Sequence, residues 1–448
     1  MKHKDTHIIG HIVIPSLGNR KYERAYLSIK NGENPIIEFI LDIHDGPAKI
    51  PMIIGSFTGI GRVTFMDCYN VGGNIGLSGS TVRYSSSSYI RGYHFCNEEE
   101  LKFEKYSIEI PNLASWFNIR TVISEDINNE QHYILRPADE IHIPINDNII
   151  LKIVPTCNWA WNKHNTTLQE TVLLKVESKN EKIKLSEFYK FLRHLIKFFV
   201  FIQTNELEIE SIFLSNDEIV ERVEDKEFKV SLELFLSPIK IAKLSSVYNV
   251  YLDYNEISEK FEEVLRKWFD NEITTQIELL LTKAFIPNIN VENHFLNVCF
   301  GIESFHRKFV NNTNFTNEEF SERIEYIKSN IPNKEYQKWI IENLQFANEP
   351  SFRQRLKSYN EQISLFVENT SDLINRIVET RNYFVHRSKM TKKVLLDNEL
   401  VYVTRYLEIV LKTKLLDYLG ITKDKYEKKI KYVKENIAYS KNVNKLNY

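Results

Sequence analysis

The segment SDLINRIVETRNYFVHR, residues 371–387, lies in a part of the chain that is predicted to be almost entirely helical. Beyond Ile257 the other segments with helical character are residues 257–271, 273–285, 291–310, 316–331, 334–344, 398–419 and 425–437. Short connections with proline and asparagine, such as IPNIN and IPNKE, are typical of antiparallel bundles. Residues 256–448 are therefore predicted to form an all-α helical bundle.

The preceding part, residues 1–255, is predicted to be a β-rich mixed domain. Residues 7–14, 35–43, 62–68 and 101–110 are short runs rich in β-branched and aromatic residues and bounded by turn residues. The Gly/Ser-rich segment 70–89 predicts either a long loop or a pair of edge strands. A helix is expected from Ser186, and two strand-like runs follow at 206–215 and 228–237. The expected fold class is α+β, with the β-rich domain followed by the helical one.

Composition places the chain among ordinary globular proteins, with 43% hydrophobic and 26% charged residues. Its longest apolar stretch, residues 191–203, is interrupted by Arg193 and Lys197 and is too short and too charged to span a bilayer. The N-terminus lacks the apolar core and cleavage site of a secretory signal. We therefore expect a soluble, cytoplasmic protein without a membrane partner.

Cysteine and histidine spacing gives no sign of a metal or disulfide framework. The four cysteines have no CxxC spacing, and His294, Cys299 and His306 fall on one predicted helix at offsets that do not converge. Neither a cofactor nor a metal is expected.

Charge is distributed unevenly, although the whole chain carries a net charge of only −2. Residues 376–448 contain 17 lysines and arginines against 8 aspartates and glutamates, a net +9, which leaves −11 on the first 375 residues. A basic end of this kind attracts a phosphate backbone. Solvated helix faces with a lysine-rich tail are the alternative interpretation.

The residues best suited to chemistry are Arg381, Asn382 and His386, in the order Arg-Asn-x-x-x-His. On a helix Asn382 and His386 share a face, whereas Arg381 points about 140° away from His386. Both could reach one phosphate only if the helix bends or if a second copy of the chain completes the site. A symmetric dimer, in which both motifs face one groove, is the simpler solution.

These side chains suit RNA cleavage without a metal, in which the ribose 2′-hydroxyl attacks the adjacent phosphorus. A histidine can move the protons of attack and departure, and an arginine can hold the non-bridging oxygens. Asn382 would orient His386 or hydrogen-bond the phosphate or ribose. Dependence on the 2′-hydroxyl would exclude DNA as a substrate.

The spacing by itself is a weak signal, because a second match, Arg136 to His142, occurs in RPADEIH of the first domain. We interpret that match as a loop without function. For Arg381 and His386 the alternative is a surface arginine and a half-buried helix histidine.

The C-terminal region resembles the HEPN domains of ApeA-type anti-phage proteins. RNYFVH, residues 381–386, fits the Arg-polar-x-x-x-His motif of that family, and this resemblance implies that Arg381, Asn382 and His386 are catalytic. Residues 291–310 resemble the family's leading helix, in which an acidic residue would be Glu303. We expect Glu303 to pair with Arg381 or another cation; a plain surface carboxylate is the alternative.

The N-terminal region is similar to the ApeA N-terminal domain through GSFTGIGRVTFMDC (55–68), YIRGYHF (89–95) and KFEKYSIEIPNLASWF (102–117). Together the resemblances imply an abortive-infection endoribonuclease. The first domain would sense a phage-derived trigger or restrain the nuclease, and a HEPN homodimer or higher homo-oligomer would cleave tRNA or other cellular RNA.

Two other functions remain open at this point. The helical domain could be a non-catalytic HEPN module that binds RNA or a nucleotide, beside a β-rich recognition domain. Alternatively, the β-rich domain could carry the recognition function while the helices only dimerise.

Overall fold

The computed structural model describes residues 6–30, 32–40, 46–76, 79–136, 138–161, 166–203, 207–224, 226–237, 241, 246–310, 313–387 and 389–446. The chain divides into two compact units. The first comprises residues 1–196 and 206–240, and the second comprises residues 197–205 and 241–448. The division into functional domains at residues 255 and 256 stays a prediction.

The first unit is built mainly from antiparallel strands. The strands are β1 (Thr6–Ile14), β2 (Arg20–Ile29), β3 (Ile36–Ile40), β4 (Lys49–Phe57), β5 (Gly61–Gly76), β6 (Gly79–Arg91), β7 (Lys102–Phe103), β8 (Lys105–Glu109), β9 (Val122–Ile127), β10 (Glu130–Leu135), β11 (Ile141–Pro144), β12 (Ile149–Trp161), β13 (Thr166–Ser178), β14 (Ile183–Lys184), β15 (Ser211–Ser215), β16 (Val220–Val223), β17 (Lys226–Lys229) and β18 (Leu232–Leu236). Two helices accompany them, α1 (Leu113–Phe117) and α2 (Leu185–Ile202), of which residues 197–202 belong to the second unit.

Six of these strands close into a barrel in the order β6-β3-β2-β1-β4-β5, because β5 also pairs with β6. Closure leaves no free edge between the first and last strand. Since β5 occupies one edge of β6, the strands β3 and β18 share the other, with β3 on residues 81–85 and β18 on residues 88–91. The sheet continues from β18 through β15, β8, β13 and β12 to β11.

The barrel is filled by alternating apolar side chains. Phe39, which is 1% exposed, lies between Tyr22 and Tyr84, with ring centroids 4.9 and 5.8 Å away. At Gly10 a Cβ atom would lie 2.3 Å from the carbonyl oxygen of Ser56, so only glycine allows β1 to approach β4 this closely. Outside the barrel Phe188 of α2 stacks on Tyr106 of β8 at 3.8 Å.

The described residues of the second unit from Tyr254 onward form helices and connections, with no strand. The helices are α3 (Tyr254–Ile257), α4 (Phe261–Phe269), α5 (Thr274–Leu280), α6 (Thr282–Phe285), α7 (Val291–Phe309), α8 (Asn317–Ser329), α9 (Lys334–Leu344), α10 (Phe352–Lys357), α11 (Asn360–Ser364), α12 (Thr370–His386), α13 (Asp397–Tyr418) and α14 (Lys423–Leu446). Helices α7 and α13 pack closely, since a Cβ atom at Gly301 would lie 2.6 Å from Leu411. Trp268 is fully buried between Phe198 and Phe201.

The predicted fold class, a β-rich region followed by an all-α region, is confirmed. Segment 70–89 forms parts of β5 and β6, so the expected pair of strands is present and the loop alternative is wrong. The expected edge position is also wrong, because both strands have neighbours on two sides in the closed barrel; residues 77 and 78 lie outside the described residues. Helices α10 and α11 were not expected. Among the described residues, none of the helices combines the length and apolar character that crossing a membrane requires.

Candidate active site

Helix α12 carries the Arg381–His386 motif and is held by a buried apolar face. Asn369 caps its N-terminus by accepting a hydrogen bond from the backbone N–H of Asp372. Leu373, Ile374 and Ile377 recur at helical spacing and are nearly inaccessible to solvent. The sequence thus fixes which side of α12 faces the bundle and leaves the other side free for polar residues.

Two polar contacts fix the middle of the same helix. Arg376 donates to both carboxylate oxygens of Glu399 at 2.6 and 3.2 Å, which joins α12 to the first turn of α13. The buried hydroxyl of Thr380 donates to the carbonyl of Arg376 and accepts from the backbone N–H of Leu395, at 2.7 and 2.8 Å. The backbone directly before Arg381 is therefore well anchored.

Arg381 lies in a niche made by α7, α10 and α12. Its Nη2 is 3.4 Å from Oε2 of Glu303, and its Nη1 donates to Oδ1 of Asn382 at 3.3 Å. The rings of Phe300 and Phe352 lie 5.9 and 5.7 Å from its guanidinium carbon. The side chain is 22% exposed, so it is held by its neighbours and is still partly accessible to solvent.

Glu303 connects Arg381 to a larger ion-pair network. Its other oxygen lies 3.6 Å from Arg307, and Arg307 in turn is 3.0 Å from Glu349. Glu349 also contacts the fully buried Arg355 at 3.5 Å. Three arginines thus share two carboxylates, which leaves this region with an excess of positive charge.

Arg355 continues the network inward by donating from Nη1 to Nδ1 of His306 at 3.0 Å. Burial lowers the pKa of the His306 imidazole, and the charge of Arg355 lowers it further. Burial and the nearby Arg307 likewise lower the pKa of Arg355. His306 is therefore held in its neutral form as an acceptor, which supports the arginine that anchors Glu349.

His386 is the last residue of α12 and is exposed. The next residue, Arg387, has a left-handed backbone with a φ of 49°, which ends the helix. Because α12 is uninterrupted from Thr370 to His386, Arg381 and His386 point about 140° apart within one chain. Asn382 shares the face of His386 and touches Arg381, so it lies between the two.

Several apolar side chains that lie close to His386 in sequence, or beside Arg381, are exposed. Val385 is 38% exposed, and Met390 and Leu396, in the connection that follows α12, are 51% and 37% exposed. Phe300, beside Arg381, is 37% exposed.

Glu303 pairs with Arg381 as expected, whereas the other residues of the niche were not predicted from the sequence. Arg307 follows Glu303 by four residues on a predicted helix, so the pair could have been found from that spacing. Phe352 and Arg355 lie on α10, for which no helix was expected. In the second motif match the two residues pair with different carboxylates: Arg136 contacts Glu125, and His142 contacts Glu140. Pro137, between them, lies outside the described residues.

In the part of the chain that the structure describes, no three His, Cys, Asp or Glu side chains converge as metal ligands would. His294 and His306 instead contact Glu408 and Arg355.

Two protein-family models match this chain. The model described as ApeA N-terminal domain 1 matches residues 7–268, which is more than half of the sequence, and the model described as Apea-like HEPN matches residues 296–425. A search of the curated proteins and a search of the solved structures each found no match. The HEPN match contains Glu303, Arg381, Asn382 and His386. The chain therefore belongs to the ApeA family, with an ApeA N-terminal domain 1 followed by an Apea-like HEPN domain.

Proposed function

We propose that this protein is a metal-independent endoribonuclease whose phosphate-binding residue is Arg381 and whose proton-transfer residue is His386. HEPN domains of this kind are generally ribonucleases of defence systems. The observation that carries the proposal is the niche of Arg381. A guanidinium is held partly exposed by Glu303 and two aromatic rings, and an accessible imidazole stands five residues later on the same helix.

In the proposed reaction the ribose 2′-oxygen attacks phosphorus and the bond from phosphorus to the 5′-oxygen breaks. The 2′-hydroxyl loses a proton and the departing 5′-oxygen gains one, so the products are a 2′,3′-cyclic phosphate and a 5′-hydroxyl. His386 is exposed and can accept the first proton or donate the second. Asn382, on the same face, would orient the imidazole or the ribose.

Arg381 suits the phosphate because its present partner holds it only loosely. A pair at 3.4 Å between partly exposed groups contributes no more than about 1 kcal/mol, so a phosphate can share the guanidinium with Glu303. Arg307, which is 55% exposed, adds a second cation on the same side of α7. Phe300 offers an exposed ring on which an RNA base can stack.

A second copy of the chain would bring the two residues to one phosphate. Arg381 and His386 point in different directions on an unbroken helix, and a two-fold axis beside α12 places the arginine of one copy near the histidine of the other. Val385 on α12, and Met390 and Leu396 in the segment that follows it, are exposed apolar side chains that such an interface could cover.

For the N-terminal domain we propose a role in sensing a phage-derived trigger or in restraining the nuclease, so that cellular RNA, tRNA included, is cut only during infection. The proposal rests on two points. The chain matches ApeA N-terminal domain 1, and a cell must keep such a nuclease inactive outside infection.

The test is total-RNA integrity in cells that express wild type, Arg381→Ala or His386→Ala, with and without phage challenge. We expect fragments with 2′,3′-cyclic phosphate ends in wild type only, since loss of either residue lowers the rate by a factor of about 10² to 10⁴. Lys389→Ala removes an exposed positive charge three residues beyond His386 and serves as the matched control.

The proposal fails if both variants fold, fragment RNA and protect cells as wild type does. If wild type binds RNA without cleaving it, and both variants bind RNA equally well, the protein is instead a non-catalytic RNA-binding module.

A further inference from the structure

A cavity of about 270 Å³ lies within the helical unit, between α5, α6, α7 and α13. Aliphatic side chains of these helices form its walls, and Lys283, His294, Arg405, Glu408 and Lys412 bring charge and hydrogen-bonding groups to it. This volume lies just below the range of about 300 to 1,000 Å³ of typical ligand pockets, so the cavity has room only for a small molecule. Neither Arg381 nor His386 lines it, which separates it from the proposed nuclease site.

Lys412 is the most unusual side chain of the cavity, because it is 4% exposed yet has only a neutral partner. Its Nζ donates to Oδ1 of Asn249 at 2.9 Å, and the ring of Phe201 lies 5.1 Å away. No carboxylate lies within ion-pair distance of this amine in the described part of the chain. Burial lowers the pKa of the Lys412 amine to about 7, and the charge of Glu408 opposes this shift.

Among the described residues that line the cavity, the single carboxylate is already engaged. Oε1 of Glu408 lies 2.5 Å from Nε2 of His294, whose side chain is only 5% exposed. The other ring nitrogen, Nδ1 of His294, is buried and has no hydrogen-bond partner among the residues that the structure describes. Nδ1 can therefore form a further hydrogen bond with a group of a ligand.

The remaining charges are positive. The guanidinium of Arg405 lies 3.8 Å from the ring centroid of Tyr248, at the wall of the cavity, and Lys283 is exposed at its rim. Three basic side chains therefore face one carboxylate that a histidine already binds. A buried amine without a carboxylate partner and a buried ring nitrogen without a hydrogen-bond partner both cost stability, which a ligand of matching chemistry would restore.

We propose that this cavity binds a small organic anion, whose phosphate or carboxylate group is held by Lys412 and Arg405. A hydroxyl group of the ligand hydrogen-bonds Nδ1 of His294, and its carbon skeleton packs against the aliphatic walls. The site is independent of the proposed nuclease activity.

Calorimetric titration of the full chain tests this with ribose 5-phosphate, 4-hydroxybenzoate and inorganic phosphate. We expect saturable binding of an organic probe with a Kd of about 1 mM or tighter. Binding of ribose 5-phosphate identifies phosphate as the recognised group, and binding of 4-hydroxybenzoate alone identifies carboxylate. Lys412→Met and Arg405→Gln should each weaken binding by about ten-fold or more.

Lys414→Met, which removes a lysine of the same helix that does not line the cavity, is the matched control and should bind like wild type. Lys412→Met replaces a buried amine with an apolar chain of similar length, and Arg405→Gln alters a half-buried residue, so two independent variants report on the site. The proposal is overturned if no organic probe binds, if inorganic phosphate binds alone, or if both variants bind as tightly as wild type.

Discussion

The β-barrel and the helical unit fill their interiors with different chemistry. In the barrel, buried hydroxyls donate to backbone carbonyls, as Thr64 does to Tyr93 and Ser86 does to Met66. The helical unit instead buries an arginine, a lysine and two histidines, namely Arg355, Lys412, His294 and His306. Burying ionisable groups is costly unless they are paired, so this difference from the barrel marks the helical unit as a place where polar chemistry is retained.

The comparison predicts that the barrel depends on packing and the helical unit on matched charges. Substitutions that remove volume should dominate in the first unit. Substitutions that remove a charge should change the stability of the second unit. Whether they raise or lower its free energy of unfolding depends on whether the charge has a partner of opposite sign.

Phe39→Ala is expected to have the largest effect, lowering the free energy of unfolding of the barrel by about 3–5 kcal/mol because it removes a fully buried ring. Urea unfolding of the full chain, followed by hydrogen exchange in β2 and β3, measures the loss. Tyr26→Ala removes a ring of comparable size that is 45% exposed and should cost far less. Equal losses in both variants would show that the barrel interior is not the source of stability.

Lys412→Met should show the opposite sign and stabilise the helical unit by about 1–4 kcal/mol at neutral pH. Burial lowers the pKa of this lysine from its ordinary 10.5 to about 7. The unfolded chain therefore binds more protons between those values, and wild-type stability rises with pH across that range.

The advantage of the methionine variant should accordingly shrink as the pH increases from about 7 to about 10.5. Thermal unfolding of both proteins across this range measures it. A difference that does not change with pH would mean that Lys412 is not the buried charge that the structure implies.

Glu303→Gln should have the smallest effect on stability, about 1 kcal/mol or less, because the groups that it pairs are partly exposed. It should still slow RNA cleavage, since Arg381 loses the carboxylate that orients it. Glu292→Gln, an exposed change on the same helix, is the control and should cleave at the wild-type rate. Wild-type cleavage by Glu303→Gln would exclude a positioning role for Glu303.

Local sequence predicted much of the fold because periodicity reports which face of an element is buried. Residues 371–387 were predicted to be helical, and α12 spans 370–386. Barrel closure was not predictable in this way, because pairing of β5 with both β4 and β6 depends on contacts between distant segments.

The candidate site was predicted in outline, through Arg381, Asn382, His386 and Glu303. Its supporting residues were not predicted because their environment is tertiary. FRQRLK has the composition of an exposed segment, yet Arg355 within it is fully buried. Nothing in the local sequence shows that His306 accepts a hydrogen bond from this arginine.

The most direct test of the central claim is complementation between Arg381→Ala and His386→Ala. Cells that co-express the two variants with different tags are challenged with a phage against which wild type protects, and RNA fragmentation is measured. Random pairing makes half of the dimers mixed, and each mixed dimer holds one complete arginine–histidine pair. We therefore predict about a quarter of wild-type cleavage, against none for either variant alone. Mixed dimers that are recovered through both tags but leave the RNA intact would contradict a site shared between two copies.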